Sequence, residues 1–184
     1  MKHILLTSTG FTNKKLERLF LDHIGKPIDQ VRVVFVPTAA NDEESQSVLP
    51  FCRQDLTDAG VLEDNIVTYD LVRTMEIDEL RGFDAIYFCG GSETYLMEAI
   101  NRANFAQTLL DAVEEGLFYI GVSAGSMIAS ASVSNGLGII PNHLEPHCEE
   151  EITPDGTLPA ENLPVNLSDD QAVWITDEDA VILQ

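Results

Sequence analysis

Short, largely apolar runs alternate along this chain with longer stretches in which apolar residues recur every three or four positions. Runs of the first kind lie at 4–7, 31–36, 66–71, 85–89 and 117–122, rich in β-branched and aromatic residues, and all but 66–71 are stopped by Gly, Pro, Ser or Thr. They predict buried strands. Between them, Leu16, Leu19, Phe20 and Ile24 share one helical face, with Lys14, Lys15, Glu17 and Arg18 on the other. Asp42-Glu43-Glu44 predicts the start of a second helix, striped by Val48, Phe51, Cys52, Leu56 and Ala59 and ended by Gly60. Further helices are expected around 77–80, over 94–103 and 105–115, and directly after Val122. Strands that are apolar throughout and alternate with helices predict a mostly parallel sheet covered on both faces.

After Ser132 the pattern changes. Residues 136–141 read as a glycine-interrupted strand or hairpin, and 148–166, acidic and Pro-rich, as loop. Residues 172–175 and 180–183, around Thr176-Asp177-Glu178-Asp179, predict a terminal β-hairpin. There is no internal repeat and no dividing linker, so residues 1–184 are expected to form a single domain.

Charge narrows the partners more than composition does. A formal net charge of −21 opposes binding to nucleic-acid phosphates. No apolar run approaches a membrane span, and Met1-Lys2-His3 leads into an apolar run too short for a secretory leader. Cys52, Cys89 and Cys148 are odd in number, scattered and without CxxC spacing, which fits neither a disulfide framework nor a zinc site. A cytoplasmic setting is expected, with no metal and no cofactor.

The candidate chemistry centres on Gly121-Val122-Ser123-Ala124-Gly125, a Gly-x-Ser-x-Gly turn between strand and helix. Such a turn holds a serine hydroxyl exposed above a sheet. Ser123 needs a base within reach. His3 lies at the amino end of the first strand and His23 on the first helix. His143 and His147 fall on a later loop that can fold back over Ser123. Acyl transfer also needs N–H donors for an oxyanion; Gly90-Gly91 at a strand end and the N–H of Ala124 are candidates. A flavodoxin-like nucleotide site at Gly90-Gly91 is the weaker reading, because the spacing of a phosphate loop is missing and the charge opposes it.

The sequence 88–96, Phe-Cys-Gly-Gly-Ser-Glu-Thr-Tyr-Leu, together with Gly121-Val122-Ser123-Ala124-Gly125-Ser126 and Glu145-Pro146-His147, resembles peptidase E. Val36-Pro37-Thr38-Ala39-Ala40 is also similar to the second strand and loop of that family. These are serine peptidases that cleave after aspartate in small peptides and are related to cyanophycinases. The resemblance implies a three-layer α/β/α sandwich with a mostly parallel sheet, like that of class I glutamine amidotransferases, plus the C-terminal β-hairpin. Those amidotransferases carry cysteine at the elbow, so Ser123 argues against a glutaminase. The resemblance further implies Ser123 as nucleophile, His147 as general base and the backbone N–H groups of Gly91 and Ala124 as oxyanion donors. His143 becomes a bystander or a minor substrate contact. The implied partner is a small peptide or amide substrate, with a homodimer among the assemblies allowed.

Two departures from the family pattern stand out. The family places an acidic residue between elbow and histidine, where this chain offers Asn135; Glu149, similar to the His-x-Glu of the amidotransferases, is the other candidate. The family also reads its aspartyl substrate with an arginine beyond the histidine, yet no Lys or Arg follows Arg102. Only Arg102, Arg73 or a neighbouring subunit could supply that charge. Two functional classes follow: a serine hydrolase, or a fold relative that has lost catalysis and serves as a binding or regulatory module. The approach of His147 to Ser123 discriminates them.

Overall fold

The apolar runs become strands because the sheet they build is covered on both faces, except at one edge, where Val67 and Thr68 are exposed. The structure, a computed structural model, describes residues 1–161 and 163–184; Asn162, inside the loop expected over 148–166, lies outside them. In chain order the elements are β1 (Ile4–Thr7), α1 (Lys14–His23), β2 (Val33–Val36), α2 (Glu43–Asp58), β3 (Ile66–Thr68) and α3 (Ile77–Leu80). There follow β4 (Ala85–Phe88), α4 (Glu93–Arg102), α5 (Ala106–Glu115), β5 (Phe118–Val122) and α6 (Ala124–Met127). The remainder is β: β6 (Leu144–Glu145), β7 (Gly156–Thr157), β8 (Val165–Asn166), β9 (Ala172–Ile175) and β10 (Ala180–Leu183).

Eight strands form one sheet in the order β3-β2-β4-β5-β1-β9-β10-β7. The first five run parallel, and the expected C-terminal hairpin, β9 and β10, extends them antiparallel beside β1. Side chains alternate across the sheet. Ile4, Leu6, Val34, Ile86, Phe88 and Tyr119 pack with Leu80 of α3, Leu96 and Ile100 of α4 and Leu109 and Val113 of α5. Leu5, Val33, Phe35, Tyr87, Phe118 and Ile120 pack with Leu16 and Phe20 of α1 and Cys52 and Leu56 of α2. The result is the expected α/β/α sandwich with a mostly parallel sheet.

This division of helices creates the site. β1 is followed by a helix on one face, while its neighbour β5 is followed by α6 on the other. β2 and β4 diverge likewise. At such switch points the chain parts above the carboxyl ends of the strands and leaves a crevice.

Several predicted boundaries move. β2 starts at Val33, because the Val31 N–H closes a turn onto the Ile28 carbonyl. β3, at the sheet edge, stops at Thr68, and the chain then turns through Leu71 at φ 60°. Residues 136–141 form no strand: the N–H groups of Leu137 and Ile139 bond to the Ile128 and Ala129 carbonyls, closing the end of α6. The acidic loop contains two brief strands, β7 and β8, with β8 paired parallel to β6 in a separate two-stranded sheet. No helix among the described residues is long and apolar enough to cross a membrane.

Candidate active site

Ser123 stands at the end of β5 with φ 49° and ψ −108°, a conformation that costs roughly 1–3 kcal/mol unless its surroundings enforce it. They do. Its N–H bonds to the Thr7 carbonyl at 3.0 Å, and Ser126 Oγ donates to the same oxygen at 2.8 Å. Tyr119 donates its buried hydroxyl to the Gly125 carbonyl at 2.6 Å. The two glycines of the motif are required by closeness rather than by φ. A Cβ on Gly121 would lie 2.6 Å from the Gly125 carbonyl oxygen, and one on Gly125 would lie 2.6 Å from both Cβ and O of Phe88. The sharp turn exists because α6 packs directly onto β4 and β5.

His147 reaches this serine from the loop after β6. Its Nε2 is 3.1 Å from Ser123 Oγ, and its Nδ1 is 2.7 Å from Asp169 Oδ1. The histidine too has positive φ, 60°. The small β6/β8 sheet accounts for the juxtaposition. β6 and β8 run parallel in register, Glu145 beside Asn166, so the residues that follow each leave in the same direction. His147 comes two positions after Glu145 and Asp169 three after Asn166. Ser8, at the end of β1, ties both loops to the main sheet. Its Oγ accepts from the His147 N–H at 3.3 Å and donates to the Leu167 carbonyl at 3.4 Å. The Asp169 carbonyl accepts from Thr9 Oγ1 at 2.7 Å.

The third member expected from sequence is therefore corrected. Neither Asn135 nor Glu149 makes a hydrogen bond to His147; Asn135 sits at φ 58° in an exposed turn after α6, and Glu149 is exposed. Asp169 holds that place. The family pattern points to the segment between elbow and histidine, and the His-x-Glu likeness to the residues just past the histidine. The order Ser, His, Asp lies outside both windows, although side-chain geometry does not fix chain order. The available signal was Ser168-Asp169-Asp170, a polar step directly before β9.

Gly90 and Gly91 border Ser123 from the end of β4. A Cβ on Gly90 would come 3.3 Å from Ser123 Cβ, and one on Gly91, at φ 136°, would lie 2.1 Å from the Ala39 carbonyl oxygen. The N–H groups of Gly91 and Ala124 donate no hydrogen bond among the described residues. Above them opens a cavity of about 490 Å³ lined by Ser123, His147, Gly91 and the α2 residues Phe51, Cys52 and Asp55. Among the described residues no Lys or Arg lines it. Arg73 and Arg102 lie instead along a separate cavity of about 640 Å³ with Thr38 and Tyr95, where Arg73 pairs with Glu79. The remaining histidines stay apart from Ser123: His3 stacks on Trp174 with ring centroids 5.5 Å apart, His23 packs against both, and His143 is exposed beside β6. The three cysteines are free.

Comparison with known proteins identifies the family and the fold. The family model described as peptidase family S51 matches residues 4–183. An uncharacterized peptidase of Pasteurella multocida (strain Pm70) is 30% identical over 115 residues, 62% of this chain and 55% of that protein. A peptidase E of Streptomyces coelicolor is 30% identical over 133 residues, 63% of this chain and 51% of that protein. The matched region thus spans about half the length of these curated relatives. In fold, the chain is similar to the crystal structure of a candidate peptidase E from Listeria monocytogenes EGD-e, with a TM-score of 0.77 and 22% identity, covering 100% of this chain and 98% of that one.

Proposed function

Starting from the chain's membership of peptidase family S51, we propose that it is a serine-type peptidase that cleaves small peptides or amides through an acyl-enzyme on Ser123. The observation that carries this reading is the continuous line from Ser123 Oγ to His147 Nε2, 3.1 Å, and from His147 Nδ1 to Asp169, 2.7 Å. A hydroxyl on such a line loses its proton to Nε2 as its oxygen attacks a carbonyl carbon. Asp169 keeps the Nδ1–H tautomer facing away from the serine and balances the imidazolium that forms. The oxygen of the tetrahedral intermediate accepts from the N–H groups of Gly91 and Ala124. Collapse breaks the C–N bond, and the imidazolium returns its proton to the departing amine. Water, deprotonated by His147, then attacks the acyl ester and releases the acid.

The approach of His147 also weighs against a purely binding role, since a module without catalysis gives no reason for a strained serine to meet a histidine at hydrogen-bond distance. A fluorophosphonate probe tests the reading. It is expected to label Ser123, and Ser123→Ala and His147→Ala to lose that labelling. A folded protein that stays unlabelled between pH 7 and 9 overturns it.

A further inference from the structure

The cavity over Ser123 is walled on one side by α2, and that wall is acidic. Asp42, Glu44 and Asp55 line it, with no Lys or Arg among the described lining residues. Asp55 is the most fixed of the three. Its Oδ2 accepts from the Phe11 N–H at 2.9 Å and from the Tyr87 hydroxyl at 2.8 Å. Its other oxygen makes no hydrogen bond, and neither Asp55 nor Glu44 has a cationic partner, among the described residues. Beside them Phe51 is 66% and Val48 44% exposed, whereas Cys52 and Leu56 of the same helix are buried. An aromatic face next to carboxylates is a receptor for a cation, because the ring quadrupole and the anions attract the same charge. Val48 and Cys52 supply apolar wall between, suited to the methylene stem of a long basic side chain.

Resting on the serine-peptidase reading above, we infer that the residue on the acyl side of the cleaved bond carries a positive charge, an ammonium or guanidinium, which Asp55, Glu44 and Phe51 receive. A carboxylate side chain in the same pocket meets only like charge and is disfavoured. Burial raises the pKa of Asp55, a cost that an incoming cation offsets. The charge can come from a lysyl or arginyl side chain or from the α-ammonium of a peptide with a free amino end.

Diphenyl aminophosphonates, which phosphonylate the nucleophilic serine with loss of a phenol and without turnover, separate these sources. The lysine, norleucine and aspartate analogues are each compared with the amine free and acetylated, with the generic fluorophosphonate as reference. The lysine analogue is expected to label Ser123 about tenfold faster than norleucine, which has a comparable apolar stem but no charge. If instead only a free amine accelerates labelling, the charge recognised is the α-ammonium. In either case Asp55→Asn, which keeps an acceptor for Phe11 and Tyr87, should reduce the charged-to-neutral rate ratio toward one; Glu44→Gln, on the helix exterior, should reduce it in part. Rates indifferent to charge, a fastest aspartate analogue, or phosphonates that all fail while the fluorophosphonate labels, overturn the cationic assignment alone. Failure of the fluorophosphonate as well removes the serine-peptidase premise, and the inference with it.

Discussion

The two halves of the candidate site are held by different kinds of structure. Ser123 is fixed from within the fold: its turn is bonded to Thr7 and Tyr119, and its glycines touch Phe88 and each other's backbone. His147 and Asp169 are fixed from the surface, by strands of two residues each, with side chains 49% and 65% exposed. A nucleophile that must persist in a strained conformation needs an over-determined, buried surround. A base and its orienting acid need only the right direction, and irregular loops on a rigid sheet supply it. Damage to the elbow should therefore appear first as lost stability, and damage to the histidine loop as lost rate.

Asp169→Asn gives the sharpest contrast. An amide holds the imidazole but cannot balance its charge, and the wrong tautomer is favoured. Because Asp169 is largely exposed, water takes over part of its role, and the expected loss in fluorophosphonate labelling rate is about 10²–10³-fold. Unfolding free energy should change by less than about 0.5 kcal/mol, as for surface substitutions generally. Glu149→Gln and Asn135→Ala should alter the labelling rate less than about twofold. A loss at Glu149 equal to that at Asp169 would break the assignment.

Gly125→Ala probes the other half. The new methyl meets Phe88 Cβ and carbonyl oxygen, and backbone cannot yield as a side-chain tip can. Overpacking of this kind costs about 1–3 kcal/mol, read from the urea midpoint. Labelling of the fraction that stays folded should fall with it, since α6 must shift and Ser123 begins that helix. An unchanged midpoint would mean that the elbow is not the rigid half.

The same contrast explains what could be read from the amino acids. Around the elbow, chemistry and local rules coincide: an apolar strand, Gly-x-Ser-x-Gly and a Gly-Gly strand end all mark the carboxyl edge of one sheet, so Ser123, Gly91 and Ala124 could be named. His147 was legible through Pro146-His147 and its place on a loop. Asp169 was not, because its partnership depends on β6 and β8 pairing across a loop that, by composition, belonged to no strand. Two-residue strands leave no periodic signal. The missing Lys and Arg after Arg102 were visible from the start, but only the structure shows that Arg73 and Arg102 line a different cavity and that carboxylates take the pocket wall.

Ser8→Ala tests the join between the two halves. Its buried hydroxyl links the His147 N–H and the Leu167 carbonyl to the end of β1, at 3.3 and 3.4 Å. Bonds of that length lie just beyond the usual range and are weak, so about 1 kcal/mol at most is at stake. If it is spent on aligning the histidine, labelling slows roughly fivefold with the melting temperature nearly constant. A fall in melting temperature without a change in rate would instead make Ser8 part of the rigid half.

The smallest effect concerns the pocket wall that joins neither half. Burial raises the pKa of Asp55 in the folded protein above its ordinary value of 3.8. The folded state then binds more protons than the unfolded chain at pH values between the two, and stability falls as pH rises through that interval. Its contribution is greatest below pH 3.8 and is lost once the folded carboxyl ionises. Asp55→Asn removes this penalty, so its melting temperature should exceed that of the parent at pH 7, and the difference should shrink as the pH is lowered toward 4. A parent more stable than the variant at pH 7 would show that the bonds from Phe11 and Tyr87 outweigh the burial of the charge. The expected sign means that the protein retains, beside Ser123, a carboxylate that weakens the fold at neutral pH, as a group kept for what it binds commonly does.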